Sequence, residues 1–135
     1  MQTPDTVEAA FYAAFRALDL DAMRAVWSTA DDAWCVHPGG GLILGTNAIV
    51  QSWAEIFAGA QPPRIETRHG GRIDADGLSI RLVTESIVSG GSRMADVLAT
   101  NIYRRESAGW RLLAHHASLP LMGPGVQMQS KRQVH

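Results

Sequence analysis

Two segments near the start of the chain carry apolar residues at the spacing of an α-helix. In the first, Thr3 can cap the helix and Pro4 can stand in its first turn. Its apolar stripe is Val7, Phe11, Phe15 and Leu18. The pattern restarts after Asp19, where Met23, Val26 and Trp27 form the apolar face of a shorter helix. The two segments therefore predict a helical hairpin.

A short strand and a third helix are predicted next. Trp34-Cys35-Val36 is typical of a brief strand, which the following Pro38 and three glycines, Gly39 to Gly41, prevent from continuing. The third helix is expected to open at Thr46 or Asn47 and to end at Gly59. Its apolar positions keep helical spacing: Ile49, Trp53, Ile56 and Phe57.

From residue 64 onward, β-branched and alternating residues predict four long strands, separated by three turn signals. The strands are expected at about 64–74, 78–88, 93–104 and 110–118, with a bulge at Gly70-Gly71. This order predicts an α+β fold, in which three N-terminal helices pack on one face of a strongly curved, mainly antiparallel sheet. Residues 1–118 form the predicted domain and 119–135 a tail. The open end of such a sheet commonly leaves a pocket of ligand size.

Composition narrows the class of protein without naming a function. The chain has 135 residues, 46% of them hydrophobic, and a net charge of -1, so we expect one domain with neither nucleic acid nor a membrane as partner. Cys35 is the single cysteine, which excludes an intramolecular disulfide and favours the cytoplasm. The start of the chain lacks the pattern of a secretory signal. The three glycines lack the lysine of a phosphate loop, and no cofactor is expected.

The last two predicted strands carry a family resemblance. The stretch from Ala99 to Arg105, followed by Gly109 to Ser118, resembles the nuclear transport factor 2-like superfamily in its SnoaL-like branch. Trp27 and the His37-Pro38 turn fit the same pattern, and the resemblance spans roughly residues 5–118, close to the association domain of calcium/calmodulin-dependent protein kinase II. It implies a cystatin-like cone, frequent dimers, and functions from ketosteroid isomerisation, polyketide cyclisation, dehydration and epoxide hydrolysis to pure assembly. Such a fold does not fix the function.

His37 is the first candidate for catalysis. By the resemblance, it stands at the position of the proton-transfer carboxylate of the superfamily's isomerases, and a neutral imidazole is a general base near pH 7. Tyr12, Asn101 and His115 are the candidates for holding a developing oxyanion, Tyr12 by analogy with a tyrosine of the isomerases' first helix. The alternatives are a loop histidine bonded to the glycine-rich backbone and a tyrosine at the edge of the core with a solvated hydroxyl.

Arg81 is the main candidate for ligand binding. It resembles a basic residue that points into the cavity of the kinase association domain, and a guanidinium in a pocket suits a small organic acid. The other basic positions of that pattern fall here on Asn101 and Ala117. The alternative for Arg81 is an internal ion pair with Glu85 or another carboxylate, or a solvent-facing position.

Strand alternation places Asn101, Tyr103 and His115 on the cavity face and His116 on the opposite face. Adjacent histidines on a regular strand cannot chelate one metal together, so no metal site is expected. Trp27 and Trp53 are either pocket-lining or core residues. The same alternation predicts an apolar outer face that a second subunit covers, giving at least a homodimer. Its members are Ile80, Leu82, Leu98, Ile102, Trp110, Leu112 and Ala114.

Two functions fit these observations. One is a small-molecule pocket protein for an organic acid or a polyketide-like or steroid-like compound, acting as a cofactor-independent isomerase, cyclase or dehydratase by proton transfer. The other is a non-catalytic module that binds a ligand or oligomerises, as the kinase association domain does. The absence of a carboxylate at His37 keeps both open.

Overall fold

The computed structural model describes residues 1–89 and 92–120, and this part of the chain contains three helices and six strands. The helices are α1 (Pro4–Ala17), α2 (Leu20–Val26) and α3 (Thr46–Ala58). The first strands are β1 (Trp34–Val36) and β2 (Ile43–Leu44). The long strands are β3 (Arg64–Ala75), β4 (Leu78–Ser89), β5 (Ser92–Glu106) and β6 (Gly109–Ser118).

The helix starts follow the predicted capping chemistry. The Thr3 hydroxyl accepts from the backbone N–H of Thr6 at 3.1 Å, and Pro4 opens α1. Asp19 caps α2 in the same way, since its carboxylate accepts from the Ala22 N–H at 3.1 Å. The Thr3 cap fixes the start of α1, and the first turns of this helix lie against β3, β4 and β5.

The six strands form one sheet in the order β2-β1-β6-β5-β4-β3. β1 pairs with β6 in parallel, and the other neighbours are antiparallel. The predicted α+β fold is therefore confirmed, with the four long strands close to their predicted bounds. The two-residue β2 was not predicted, because it is too short to show alternation. The predicted turn at Gly90-Gly91 and most of the predicted tail lie outside the described residues.

Three irregularities interrupt the ladder of the long strands. The first lies between His69 and Gly71, which confirms the predicted bulge at Gly70-Gly71. Another falls between Ile102 and Tyr103, where Ala114 faces Ile102 but Leu112 faces Tyr103. The skipped residue is Leu113, and it shifts the alternation of β6 by one position. The prediction that Leu112 lies on the outer face is wrong, since Leu112 is fully buried in the core.

The core lies between the helices and the inner face of the sheet. Phe11 of α1 packs edge-on against Trp53 of α3, with ring centroids 5.6 Å apart. Trp27 and Trp53 are both buried core residues. Trp110, also predicted on the outer face, is partly buried against the same core. Within residues 1–89 and 92–120, no helix has the length and apolar character to cross a bilayer.

Candidate functional site

A chain of buried polar side chains runs across the inner face of the sheet beneath α1. Its members are Tyr12 on α1, Glu85 on β4, Asn101 on β5 and His115 on β6, all buried. The Tyr12 hydroxyl donates to the Glu85 Oε2 at 2.6 Å, and the Asn101 Nδ2 donates to that hydroxyl at 2.9 Å. The His115 Nδ1 lies 2.6 Å from the Asn101 Oδ1. The predicted oxyanion residues are therefore brought together, joined to a carboxylate.

Burial sets the protonation of this chain. It raises the pKa of Glu85 to about 7, although the Tyr12 hydrogen bond works in the opposite direction. It lowers the pKa of His115 to about 3, so this imidazole is neutral near pH 7. Because Asn101 Oδ1 can only accept, the neutral ring must donate from Nδ1. The hydrogen bonds then run in one direction, from His115 through Asn101 and Tyr12 to Glu85.

The direction of these hydrogen bonds limits the chemistry open to the four side chains. The Tyr12 hydroxyl has a single proton, and it already serves Glu85. Burial and the neighbouring Glu85 carboxylate both raise the pKa of Tyr12, so the phenol stays protonated. Tyr12 would therefore have to give up its hydrogen bond to Glu85 before its hydroxyl could donate to a ligand oxyanion. In this structure the chain connects α1 to the sheet.

His37 lies apart from this chain, at the end of β1. Its Nε2 is 2.8 Å from the Ser52 Oγ, and the Ser52 hydroxyl donates to the Ile49 carbonyl at 2.6 Å. Because the Ser52 proton is thus used, His37 donates from Nε2, which leaves Nδ1 as its basic nitrogen. Burial lowers the pKa of His37, and its ring stands edge-on to Trp53 at 4.7 Å. The half-buried imidazole is neutral near pH 7.

Arg81 is held by carboxylates of α1. Its side chain is 2% exposed, and its Nη1 lies 2.7 Å from Asp5 Oδ1 and 3.7 Å from Glu8 Oε1. The Nε donates to the Ser79 Oγ at 3.2 Å. The Nη2 is buried without a hydrogen-bond partner among the described residues. Of the alternatives for Arg81, the ion pair with Glu85 is wrong and a pair with other carboxylates is found.

Glu8 links Arg81 to two further side chains. Its Oε2 accepts from the Tyr103 hydroxyl at 3.0 Å, and its Oε1 contacts the His69 Nε2. The Arg81 guanidinium lies 5.7 Å from the centre of the Tyr103 ring. Sequence reasoning missed Glu8 and His69. The available signal was that Glu8 precedes Tyr12 by four residues, on the helix face that is otherwise apolar.

A cavity of about 370 Å³ opens beside this ionic cluster, where the first turn of α1 meets β3 and β4. We call it the edge pocket; it is lined by Asp5, His69, Gly71, Arg72 and Arg81. Of the predicted site residues only Arg81 lines it. His37 follows β1, which β6 and β5 separate from β4, so His37 and Arg81 lie at strands three positions apart in the sheet.

The adjacent histidines of β6, the possible metal ligands and a second cavity complete the description of the candidate site. His115 is buried and His116 exposed, as alternation predicts. Among the described residues, no group of three histidine, cysteine or acidic side chains is placed to hold a metal ion. A larger cavity of about 550 Å³ lies between the end of α2 and the start of α3, and none of the predicted site residues lines it.

Comparison with known proteins defines the family. The model of the SnoaL-like domain matches residues 5–122. The chain belongs to the SnoaL-like family. This confirms the resemblance seen in the last two strands and the placement in the nuclear transport factor 2-like superfamily.

Two solved structures are similar in sequence as well as in fold. One, from Thiobacillus denitrificans, is described as a calcium/calmodulin-dependent protein kinase type II association domain. It is 39% identical, with a TM-score of 0.85, over 90% of this chain and 98% of that one. The other, from Streptomyces avermitilis, is named as a proposed dehydratase of the nuclear transport factor 2-like family. It is 28% identical, with a TM-score of 0.78, over 89% of this chain and 100% of that one.

A curated relative is much longer than this chain. The F-box protein SKIP8 of Arabidopsis thaliana is 28% identical over 118 residues. The match covers 87% of this chain and 49% of that protein. The chain therefore spans about half the length of the curated relative it matches.

Proposed function

We propose that this protein binds a small organic acid in the edge pocket, with Arg81 as the partner of the ligand carboxylate. The observation that carries the proposal is the Arg81 Nη2, a buried guanidinium nitrogen without a hydrogen-bond partner among the described residues, beside a cavity of about 370 Å³. An unsatisfied buried donor is costly, and a ligand oxygen would satisfy it. A carboxylate matches the planar guanidinium best.

The lining of the edge pocket selects the class of ligand. Arg72 and His69 add two further nitrogen-bearing side chains to its wall. A rim of charged groups suits a small acid better than a steroid-like or polyketide-like skeleton, which needs apolar walls. The size is at the lower end of the range for ligand pockets.

Titration calorimetry tests this function with acetate, benzoate and phenylacetate, each compared with its own amide. We expect each acid to bind more tightly than its amide, and Arg81→Ala to weaken acid binding by about tenfold or more, as for a charge-assisted hydrogen bond. Arg68→Ala is the matched control, since Arg68 is an exposed arginine of β3 that does not line the edge pocket. Equal binding of acids and amides would refute the proposal.

Proton-transfer chemistry is a second candidate, centred on His37. A neutral, half-buried imidazole oriented by Ser52 is suited to act as a general base through Nδ1. The similar dehydratase and the family to which the chain belongs support this candidate. It predicts a cofactor-independent isomerase, cyclase or dehydratase, whose reaction would take place away from the edge pocket.

The exposed apolar side chains of the sheet support assembly as well. We propose that two copies of the chain pair through the outer face, because Leu82 and Leu98 are each 48% exposed there and Ile73 is 65% exposed. In register, Ile73 stands beside Ile80 and Ile80 beside Ile102, which makes a continuous apolar row. The similar kinase association domain supports this proposal.

A further inference from the structure

The edge pocket already contains a carboxylate at its guanidinium. Asp5 Oδ1 lies 2.7 Å from the Arg81 Nη1, which is the distance of a charge-assisted hydrogen bond. The two partners differ strongly in exposure, since the Asp5 side chain is 73% exposed and that of Arg81 is 2% exposed. A solvent-facing carboxylate thus covers the outer nitrogen of a buried cation.

Asp5 can leave this position without unfolding the helix that carries it. It follows Pro4 in the first turn of α1, where the Thr3 cap holds the backbone in place. The only ion-pair partner found for Asp5 among the described residues is Arg81. Rotation of its exposed side chain into water would therefore break one contact and leave α1 capped.

The charges around Arg81 favour replacement of Asp5 over addition to it. Glu8 already faces the same guanidinium at 3.7 Å, and Arg72 is paired with Asp74 at 2.6 Å. Asp5, Glu8 and Asp74 thus supply three carboxylates against the two guanidinium groups of Arg81 and Arg72, an excess of one. A ligand carboxylate added beside Asp5 would increase this excess, whereas one that replaces Asp5 leaves the charge at the guanidinium unchanged.

We propose that Asp5 is an internal competitor that occupies the ligand's carboxylate position on Arg81 and sets the affinity of the edge pocket for organic acids. This inference rests on the proposed function of that pocket. Its consequence is that the affinity of the native protein is lower than the Arg81 site alone would give. Removal of the Asp5 charge should therefore strengthen binding.

The experiment compares benzoate binding to the wild type, Asp5→Asn and Asp21→Asn by titration calorimetry at low salt. Asp5→Asn keeps the shape of the side chain and removes its charge, and we expect it to bind benzoate about 5–10-fold more tightly. Asp21 is the matched control, because it is an exposed aspartate in the first turn of α2 and does not line the edge pocket. Asp21→Asn should bind like the wild type.

The outcomes separate this inference from the proposed function. If the wild type binds benzoate and Asp5→Asn binds it equally or more weakly, Asp5 is not a competitor and only this inference fails. If neither protein binds benzoate or the other two acids, both proposals fail. Thermal unfolding of each variant is recorded alongside, and a folded Asp5→Asn with tighter binding supports the inference.

Discussion

Replacement of Glu85 by glutamine should stabilise the protein at neutral and alkaline pH. The Glu85 carboxyl is buried, and burial raises its pKa from 4.5 to about 7. The folded state therefore binds a proton more tightly at Glu85 than the unfolded state does. Stability from this group is present below about pH 4.5 and is lost as the pH rises to about 7. Glutamine stays neutral and escapes this loss.

The size of the effect follows from the same two pKa values. The difference between 4.5 and about 7, at about 1.4 kcal/mol per pH unit, corresponds to about 3 kcal/mol of unfolding free energy. The advantage of Glu85→Gln should be close to zero near pH 4 and should reach about 3 kcal/mol above pH 8. For a domain of this length, that amounts to about 10 °C in Tm.

Urea unfolding at several pH values between 4 and 9 measures this advantage directly. His115 works in the opposite direction, because burial lowers its pKa to about 3 and acid therefore destabilises the fold. Both proteins contain His115, so the difference between them isolates Glu85. Glu55→Gln is the control at an exposed position of α3, and a change there should stay within about 0.5 kcal/mol.

Two results would refute this reasoning. A difference between the wild type and Glu85→Gln that stays constant from pH 4 to 9 would mean that Glu85 titrates alike in both states. A wild type that is more stable than Glu85→Gln at pH 8 would mean that the ionised Glu85 is stabilised by its surroundings. In that case the hydrogen bond from Tyr12 at 2.6 Å outweighs the cost of burial.

Two further predictions concern catalysis and assembly. His37→Ala should lower a proton-transfer rate by about 10²–10⁴-fold in an initial-rate assay, and a variant within a few-fold of the wild type would exclude His37 as the base. Because burial lowers the pKa of His37, wild-type activity should persist below pH 6.5. Light scattering at micromolar concentration should show a dimer, and the double variant Leu82→Lys with Leu98→Lys should be a monomer. The control Leu42→Lys, at an exposed loop leucine, should remain a dimer, and a wild-type monomer would contradict pairing through the sheet.

Local patterns were enough to predict the three helices and every strand described here except β2. The cap at Thr3, the restart of the helical pattern after Asp19 and the glycine pair after His69 each depend on neighbouring residues, so the sequence shows them directly. The shift at Leu113 was not predictable in this way. It depends on how β6 pairs with β5, and nothing in the local sequence marks it. One skipped residue was enough to move Leu112 from the predicted outer face into the core.

The candidate site was only partly predictable, for a similar reason. Burial of Arg81, Asn101 and His115 follows from strand alternation. Their partners depend on which residues of α1 lie over the sheet, and this is a matter of tertiary packing. Glu8 is a single charge on a helix face that is otherwise apolar, and its role becomes clear only where Arg81 and Tyr103 meet it.

The interior of this protein contains two hydrogen bonds from a buried tyrosine to a glutamate carboxylate. Tyr12 donates to Glu85, and Tyr103 donates to Glu8. Of the described residues, Glu85 has no arginine or lysine within ion-pair distance, whereas Glu8 lies 3.7 Å from the Arg81 guanidinium and contacts the His69 imidazole. A buried carboxylate without a cation favours its protonated form, which agrees with the raised pKa of Glu85.

The Glu85 chain and the Glu8 cluster also differ in their access to solvent. The Glu85 chain is buried from Tyr12 to His115, and a hydrogen bond joins each member to the next. The Glu8 cluster instead ends at the edge pocket, where Arg81 keeps one unmatched nitrogen and Asp5 faces water. Of the two clusters, only the Glu8 cluster contains a buried donor without a hydrogen-bond partner among the described residues, the Arg81 Nη2. The proposed ligand recognition therefore rests on the ionic cluster at the edge pocket, whereas the hydrogen bonds of the Glu85 chain connect α1 to the sheet.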